Sequence, residues 1–305
     1  MPATSKSPGA CGPFPRVAPQ KLVLPWLIAF TTLAQHNGAP RDFAGAPFDF
    51  IAGKGENNRR ALERALMQEL TQGSTQEPAG EYRSEGEGDK SADASARTSP
   101  VLTWLSLEHG TRIVTLDGKT SASEAFLSVP APVADAAILT VPGTAVAFTT
   151  ADCLPLVCAS SEKQVVAAIH AGWRSLAGGI IERALEQLAD SHGVRPETLM
   201  VWIGPAIAGE DYEVGGEVRD ALLVRPAITE KHFTSCGDEH FLADLPGAAM
   251  AILTSFGVPA SSIERYPHST KSSPLYHSVR RDGTQAGRMA TVAALRPTPC
   301  AATSA

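Results

Sequence analysis

Residues Phe148–Asp190 read FTTADCLPLVCASSEKQVVAAIHAGWRSLAGGIIERALEQLAD, and two short apolar runs lie in and just before this stretch. Ala145–Thr150 leads toward Cys153, and Val165–Ile169 leads directly into His170. Both runs are rich in small and β-branched residues and are too short for helices, so they predict buried strands. If the two strands are parallel neighbours, the thiol and the imidazole emerge together at the carboxyl edge of the sheet, where open α/β sheets bind ligands.

The second run is followed by a loop and then by a pattern with helical period. From Ser175 onward, apolar residues recur every three or four positions with charged residues between them, which predicts an amphipathic helix with Ser175 as its N-cap. The amino terminus of that helix, beside Arg174, would suit an anion such as phosphate. Similar periods predict helices over Glu56–Leu70, Glu217–Val224 and Phe241–Phe256.

A third strand-like run, Val101–Leu107, is followed by His109. Three strand ends would then bring together His109, Cys153 and His170, and three protein ligands with an open fourth position are typical of catalytic zinc sites. The spacings of about 44 and 17 residues match no local zinc-finger motif. The spacing alone therefore leaves open the alternative of buried core histidines and a free cysteine.

Four longer segments carry a resemblance to a known family. TADCLPL, AAIHAGWR, IGPAIAGEDYEVG and RRDGTQAGR, at residues 150–156, 167–174, 203–215 and 280–288, resemble the signature blocks of the laccase-domain family, also described as multicopper polyphenol oxidoreductases. The blocks keep the family's order. The resemblance covers about residues 22–295 and is weak before Val101.

The resemblance implies a fold and an activity. It implies a mixed α/β (α+β) protein, a single domain of stacked mixed sheets with outer helices. It implies one zinc ion bound by His109, Cys153 and His170. It also implies a purine nucleoside phosphorylase that takes adenosine, inosine or methylthioadenosine together with phosphate, with adenosine deamination as a further activity.

Other residues near the predicted site are candidates for catalysis or substrate binding. Arg174 and the helix end at Ser175 are predicted to hold phosphate. Glu213 is a candidate general base or ribose ligand, and the resemblance places the loop with Tyr212 by the active site. Asp152 has two interpretations, since it could orient a ligand histidine or cap the turn after its strand.

The carboxyl-terminal block supplies cations. Arg280, Arg281 and Arg288 carry planar donor forks that suit phosphate, and the alternative is a salt-bridge network with Asp282. We predict that Arg281 and Arg288 bind the substrate. His268 stands where the family usually has a Cys-Thr pair, which would add an imidazole near the predicted pocket.

A second departure lies near the amino terminus. The family usually has Thr-Thr-Arg where this chain has Thr31-Thr32-Leu33, so one guanidinium that could contact phosphate or ribose is missing. This difference leaves open a non-catalytic binding protein.

Composition restricts the class of protein. The chain has 305 residues, 43% of them hydrophobic, which suffices for one large domain or two. A net charge of −6 makes nucleic acid an unsuitable partner. The five cysteines contain no close pair, which indicates a reducing compartment and a cytoplasmic protein. The sequence does not determine the oligomeric state.

The predicted organisation has one folded region. Residues 21–296 form the catalytic domain, with a flexible insertion at 73–100, between disordered tails at 1–20 and 297–305. The apolar run Lys21–Ala34 predicts a first strand, and its alternative is the core of a signal peptide. The run is too short for a transmembrane helix and contains Pro25.

Two further activities compete with the phosphorylase. A multicopper phenol oxidase needs many more histidines, largely in His-x-His pairs, whereas this chain has eight histidines and no such pair, so copper is an unlikely cofactor. An amide hydrolase that edits peptidoglycan precursors is the serious alternative, with Cys153 as nucleophile and His170 as base.

Overall fold

The structure is a computed structural model that describes residues 16–36, 39–40, 56–72, 101–117 and 131–297. The predicted insertion at 73–100, most of the predicted amino-terminal tail and all but the first residue of the carboxyl-terminal tail lie outside these residues. Predictions of their disorder therefore remain predictions.

The described residues form short strands and six α-helices. The strands are β1 Arg16–Val17, β2 Leu27–Thr32, β3 Gln35–His36, β4 Ala39–Pro40, β5 Val101–Trp104, β6 Ile113–Leu116, β7 Ala136–Leu139, β8 Thr144–Thr150, β9 Leu154–Ser160, β10 Val166–Ala171, β11 Leu199–Ile203, β12 Glu213–Gly215, β13 Phe233–Gly237, β14 His240–Ala243, β15 Ile263–Arg265 and β16 Met289–Leu295. The helices are α1 Glu56–Gln72, α2 Trp173–Gly178, α3 Ile180–His192, α4 Gly216–Leu223, α5 Leu245–Ser255 and α6 Val279–Asp282.

Two large mixed sheets form the centre of the molecule. The first has the order β1-β2-β16-β8-β5, and the second has the order β15-β11-β9-β10-β7-β6. In each sheet most neighbours are antiparallel, and the pairs β5–β8, β11–β15 and β6–β7 are parallel. Strands β12, β14 and β13 form a small antiparallel sheet beside them. The predicted fold class of stacked mixed sheets is confirmed.

The two large sheets pack face to face. On β8, Val146 and Phe148 enter a cluster that also contains Val157 and Trp202 of the second sheet. The alternate residues of β8, such as Ala147, face the other way. Because both faces of these strands are buried, their sequences read as continuous apolar runs rather than as an alternation of apolar and polar residues.

Helices cover the two outer faces. Leu62, Leu66 and Leu70 of α1 pack on the outer face of the first sheet, which confirms the helix predicted over Glu56–Leu70. Helices α2 to α5 cover the second sheet, with Ile180 among the buried contacts. The result is a helix–sheet–sheet–helix arrangement with the helices outside, as predicted.

The predicted parallel pairing of the first two strands is wrong. Strand β8 belongs to the first sheet, and the chain crosses at residues 151–153 to β9 of the second sheet, which runs antiparallel to β10. Antiparallel pairing sets the beginning of β9 against the end of β10, with His170 opposite Pro155. Cys153 and His170 therefore do come together, but through a sheet-to-sheet crossing.

The helix predicted from Ser175 is two helices. Gly179 has φ 85°, in the left-handed region, and ends α2 before α3 begins. The residue before α2 is Gly172, so Ser175 is not the N-cap; it lies inside α2 and is buried. The helix predicted over Phe241–Phe256 starts later, because residues 241–243 belong to β14.

Asp244 is the N-cap of α5, and its carboxylate accepts a hydrogen bond from the backbone N–H of Gly247 at 3.0 Å. Pro246 occupies the first turn of that helix, where a missing N–H costs nothing. The apolar run Lys21–Ala34 contributes β2, which confirms the strand interpretation. No helix in the described ranges has the length and apolar character needed to cross a membrane.

We predict that Gly179→Ala lowers the free energy of unfolding by about 1–3 kcal/mol, because an alanine is strained in the left-handed region. The added Cβ would also lie 2.5 Å from Nη1 of Arg225. Urea unfolding measures the change. Gly237→Ala is the control, since its Cβ would meet nothing closer than 3.8 Å. Equal stability of the two variants would contradict the assignment of Gly179 as a required break between α2 and α3.

Candidate metal centre

The structure brings the three predicted metal ligands together. One ligand atom from each of His109, Cys153 and His170 lies within 4.8 Å of the others. The Cys153 Sγ is 4.0 Å from His109 Nε2, and the two imidazole rings meet edge to face at a centroid distance of 4.9 Å. His170 is buried, Cys153 is half-buried and His109 is exposed, so the cluster opens to solvent on the His109 side.

A glycine at position 172 allows the side chains of His109 and Cys153 to lie this close to the loop after β10. Gly172 follows β10 directly, and a Cβ placed on it would lie 3.1 Å from His109 Cδ2 and 3.2 Å from Cys153 Sγ. Both distances are tighter than ordinary contacts of a real Cβ. Residue 172 therefore has to be small for the loop after β10 to pass beside the two ligands.

Asp135 orients two of the three ligands, and the sequence analysis did not identify it. Its buried carboxylate accepts a hydrogen bond at 2.9 Å from His170 Nδ1, which leaves Nε2 as the ring nitrogen available to a metal. The same carboxylate accepts hydrogen bonds from the backbone N–H groups of His109 at 2.9 Å and Gly110 at 2.8 Å. His109 has φ 59°, a conformation that these bonds hold in place.

The position of Asp135 gives a weak sequence signal. It directly precedes the apolar strand β7, and a lone carboxylate at a strand end is a common surface feature. Burial raises the pKa of this carboxyl, but the hydrogen bonds from His170, Gly110 and His109 together bring the pKa below its ordinary value. Asp135 is therefore an anion at neutral pH.

The charges in the cluster are coupled. Burial would raise the pKa of the Cys153 thiol, but the hydrogen bonds and positive charges of His109 and His170 outweigh burial and lower that pKa to about 6. Burial would lower the pKa of His170, but Asp135 and Cys153 raise that pKa to about 9. Each of the two groups therefore favours the charged form of the other.

This donor set fits a zinc-type ion. A thiolate and two imidazoles are the borderline-soft ligands that zinc prefers, whereas magnesium and calcium prefer oxygen ligands. Three protein ligands and a solvent-facing side match a site that keeps one position open. The anionic Asp135 behind His170 completes the carboxylate–histidine pair typical of such sites.

Asp152 holds neighbouring loops rather than a ligand histidine. Its carboxylate accepts a hydrogen bond from the Thr270 hydroxyl at 2.6 Å and another from the backbone N–H of Arg280 at 2.8 Å. Its own backbone carbonyl accepts from the N–H of Ile207 at 2.9 Å. The interpretation that Asp152 orients a ligand histidine is therefore wrong, and Asp135 makes that contact.

Tyr212 and Arg280 contact each other and are linked to the loop that carries Cys153. Tyr212 is buried, and burial raises its pKa although the positive charge and hydrogen bond of Arg280 lower it. The Arg280 guanidinium lies 4.5 Å from the centre of the Tyr212 ring and donates a hydrogen bond at 2.6 Å to the backbone carbonyl of Glu213.

Other predicted contacts are used elsewhere. The Glu213 carboxylate is exposed and pairs with His240 Nδ1 at 2.9 Å. Ser175 is completely buried, so it cannot present its hydroxyl to a substrate at the surface. Arg174 is exposed, and its guanidinium lies 4.2 Å from the centre of the Trp173 ring.

The predicted arginine contacts are largely structural. Arg281 donates to the backbone carbonyls of residues 270, 271, 273 and 276 and pairs with Asp282. Arg288 donates to the carbonyls of residues 286 and 287. His268 is exposed and lines a surface depression with Tyr266 and Arg265 that contains none of the three ligands.

Leu33 stands where the family usually has an arginine. It is buried in a small cluster with Tyr276 and Met289. This position is therefore part of the core in this chain.

We predict that Asp135→Asn weakens metal binding at the cluster by about 10- to 100-fold, as expected when the partner of a ligand histidine is lost. The amide removes the negative charge that His170 and the residue 109–110 backbone require. Competition with a chelator measures zinc affinity. Asp244→Asn, which changes a helix cap away from the cluster, is the matched control. Equal affinities in the two variants would contradict the role of Asp135.

We predict that Cys153 in metal-stripped protein is alkylated with a midpoint near pH 6, because neighbouring histidines stabilise its thiolate. The rate of iodoacetamide reaction, measured against pH and corrected with Cys153→Ser, checks this. Cys158 serves as the inert thiol, since burial raises its pKa to about 12. A midpoint above pH 8 would contradict the described charge coupling.

Comparisons with known proteins identify the family of this chain. Residues 89–296 match the family model described as multi-copper polyphenol oxidoreductase laccase. The Escherichia coli (strain K12) protein named purine nucleoside phosphorylase YfiH is 37% identical over 189 residues, covering 62% of this chain and 71% of that protein. A protein named adenosine deaminase RL5, from an unknown prokaryotic organism, is 31% identical over 169 residues, covering 52% of this chain and 60% of that protein.

Solved structures show the same fold. The Bacillus licheniformis hypothetical protein YfiH aligns with a TM-score of 0.70 at 22% identity, covering 88% of this chain and 92% of that chain. The Neisseria meningitidis protein NMB0706 aligns with a TM-score of 0.65 at 27% identity, covering 92% and 98%. The chain therefore belongs to the family described as multi-copper polyphenol oxidoreductase laccase.

Proposed function

We propose that this protein is a zinc-dependent purine nucleoside phosphorylase that takes adenosine, inosine or methylthioadenosine. The observation that carries the proposal is the cluster of His109, Cys153 and His170, backed by the buried Asp135 and open on one side. The relatives named purine nucleoside phosphorylase give the reaction class. We further propose that the protein works in the cytoplasm, since its cysteines show no disulfide framework.

The reaction sets clear demands on the site. An oxygen of hydrogen phosphate attacks C1′ of the ribose, the C1′–N9 bond breaks, and the purine leaves with the bonding electron pair. The proton of the phosphate ends on the purine, so the products are ribose 1-phosphate and the free base. Because charge develops on the phosphate and on the purine, the site needs cations or donors near both.

The residues of this chain meet these demands in part. His109, Cys153 and His170 would hold the zinc ion, which supplies a Lewis acid that polarises a bound oxygen. Asp135 keeps His170 in the tautomer whose Nε2 is available. The exposed edge at His109 is the side from which a nucleoside can enter.

Adenosine deamination is a second candidate. The relative named adenosine deaminase RL5 favours it. A zinc site with an open position can also provide an activated water for attack on C6 of adenine, as in other zinc deaminases. The two activities differ in one requirement, because phosphorolysis needs phosphate and deamination does not.

The peptidoglycan amide hydrolase remains the alternative. The closeness of the Cys153 thiol and the His170 imidazole is the observation in its favour, because such pairs form nucleophiles in thiol hydrolases. Metal dependence distinguishes the amide hydrolase from the zinc phosphorylase. A thiol hydrolase works without metal and is blocked by alkylation, whereas a zinc enzyme is blocked by chelation.

We predict one zinc per chain in purified protein and phosphate-dependent release of adenine from adenosine. His170→Ala should lose the metal and at least about 99% of turnover, because a three-ligand site loses one ligand. His170 is buried, so His109→Ala, at an exposed ligand, repeats the test with less risk to folding. Metal analysis and chromatography of the released base measure both results.

His192→Ala, on α3 away from the cluster, is the matched histidine control and should keep metal and turnover. Turnover that persists in chelator-treated protein and in His109→Ala would refute the zinc phosphorylase. Cleavage of a peptidoglycan-precursor amide by chelator-treated protein, lost on alkylation of Cys153, would instead favour the hydrolase.

A further inference from the structure

We propose that Arg280 binds the phosphate beside the metal cluster, and that Asp152 is the positioning residue that places it there. The inference rests on the proposed phosphorylase. It differs from the sequence-based expectation, which assigned the phosphate to Arg174 and the helix end at Ser175.

The neighbouring arginines are occupied. The Arg281 guanidinium donates hydrogen bonds to four backbone carbonyls and forms an ion pair with Asp282. It therefore stabilises the loop from residue 270 to 276. Arg288 turns back onto the carbonyls of residues 286 and 287. Ser175 is buried, which removes the other half of the expected phosphate site.

Arg280 is arranged differently. Its guanidinium lies over the Tyr212 ring, with 4.5 Å from Cζ to the ring centre, and one Nη1–H donates to the Glu213 carbonyl. The contact with Tyr212 and the bond to the Glu213 carbonyl position the guanidinium, while the side chain stays exposed. Among the described contacts, no carboxylate pairs with this guanidinium, so its remaining donors can form a bidentate pair with phosphate.

The position of Arg280 is tied to the metal cluster through Asp152. Asp152 directly precedes the ligand Cys153, and its buried carboxylate accepts from the backbone N–H of Arg280 at 2.8 Å. The second oxygen accepts from Thr270 at 2.6 Å, which fixes the carboxylate itself. One short segment therefore carries a metal ligand on one residue and the anchor of the phosphate-binding loop on the preceding residue.

The surroundings suit a dianion. Arg280 lies over the Tyr212 ring, and its backbone N–H is bonded to Asp152, the residue before Cys153, which places the proposed phosphate site close to the cluster. A phosphate on Arg280 would sit beside the residues that would hold a metal ion. The guanidinium would stabilise the charge on the attacking phosphate.

The test uses zinc-loaded full-length protein and inorganic phosphate. Arg280→Ala should raise the Kd for phosphate, measured by calorimetry, and the phosphate KM of phosphorolysis by roughly 10- to 100-fold, as expected for lost bonds to a charged group. Arg280→Lys keeps the charge but loses the planar fork of donors. Its phosphate Kd and KM should lie between those of wild type and Arg280→Ala. Zinc content and the Kd for inosine without phosphate should stay within about twofold of wild type, on the scale of a neutral surface change.

Asp152→Asn should raise the phosphate KM by about three- to tenfold with a smaller change in kcat, because it displaces Arg280 without removing it. A merely structural role would instead lower zinc content and inosine affinity together. Arg219→Ala is the matched control, since Arg219 also lies over an aromatic ring, Phe241, but away from the cluster. It should leave phosphate affinity unchanged.

The outcomes separate the two proposals. If wild-type protein phosphorolyses adenosine and Arg280→Ala keeps the wild-type phosphate Kd and KM, the inference fails and the phosphorylase stands. If phosphate binds and is lost in Arg280→Ala but no nucleoside is cleaved, the anion site stands and the phosphorylase fails. If wild-type protein binds no phosphate, both fail.

Discussion

The candidate site depends on one buried carboxylate. Asp135 accepts hydrogen bonds from His170 on β10 and from the backbone of residues 109 and 110, so a single anion connects a strand of the second sheet to the loop that leaves the first. A buried charge is tolerated only when it is fully paired, and here each bond also orients a metal-ligand candidate. The hydrogen bonds that offset the free-energy cost of burying Asp135 are thus the same ones that hold His109 and His170 in place.

A second buried carboxylate, that of Asp152, connects the turn before Cys153 to other loops. It ties the ligand-bearing turn to Thr270 and to the backbone of Arg280. Asp152 has φ 90°, a strained conformation for a residue other than glycine, and its two hydrogen bonds and buried position maintain it. The turn where the chain crosses between sheets is therefore rigid, and rigidity at that point preorganises both the metal ligands and the proposed phosphate site.

The layered fold explains why these groups meet at one edge. Each large sheet is buried on both faces, so polar groups collect where strands end and the chain passes from one sheet to the other. The crossing after β8 brings Cys153 to the beginning of β9, and antiparallel pairing brings His170 beside it. Gly172 leaves the space in which His109 approaches them.

The sequence by itself determined the buried strands, the α1 helix and the three ligand candidates, because apolar runs, helical periods and the family blocks are local patterns. It did not determine that β8 and β10 lie in different sheets, since strands buried on both faces carry no alternation that would reveal their partners. Nor could it separate Arg280 from Arg281 and Arg288, or Asp135 from Asp152, because like residues differ only in their distant hydrogen-bond partners. Tertiary structure decided those roles, since a carboxylate or guanidinium acquires its function from the groups that the fold places around it.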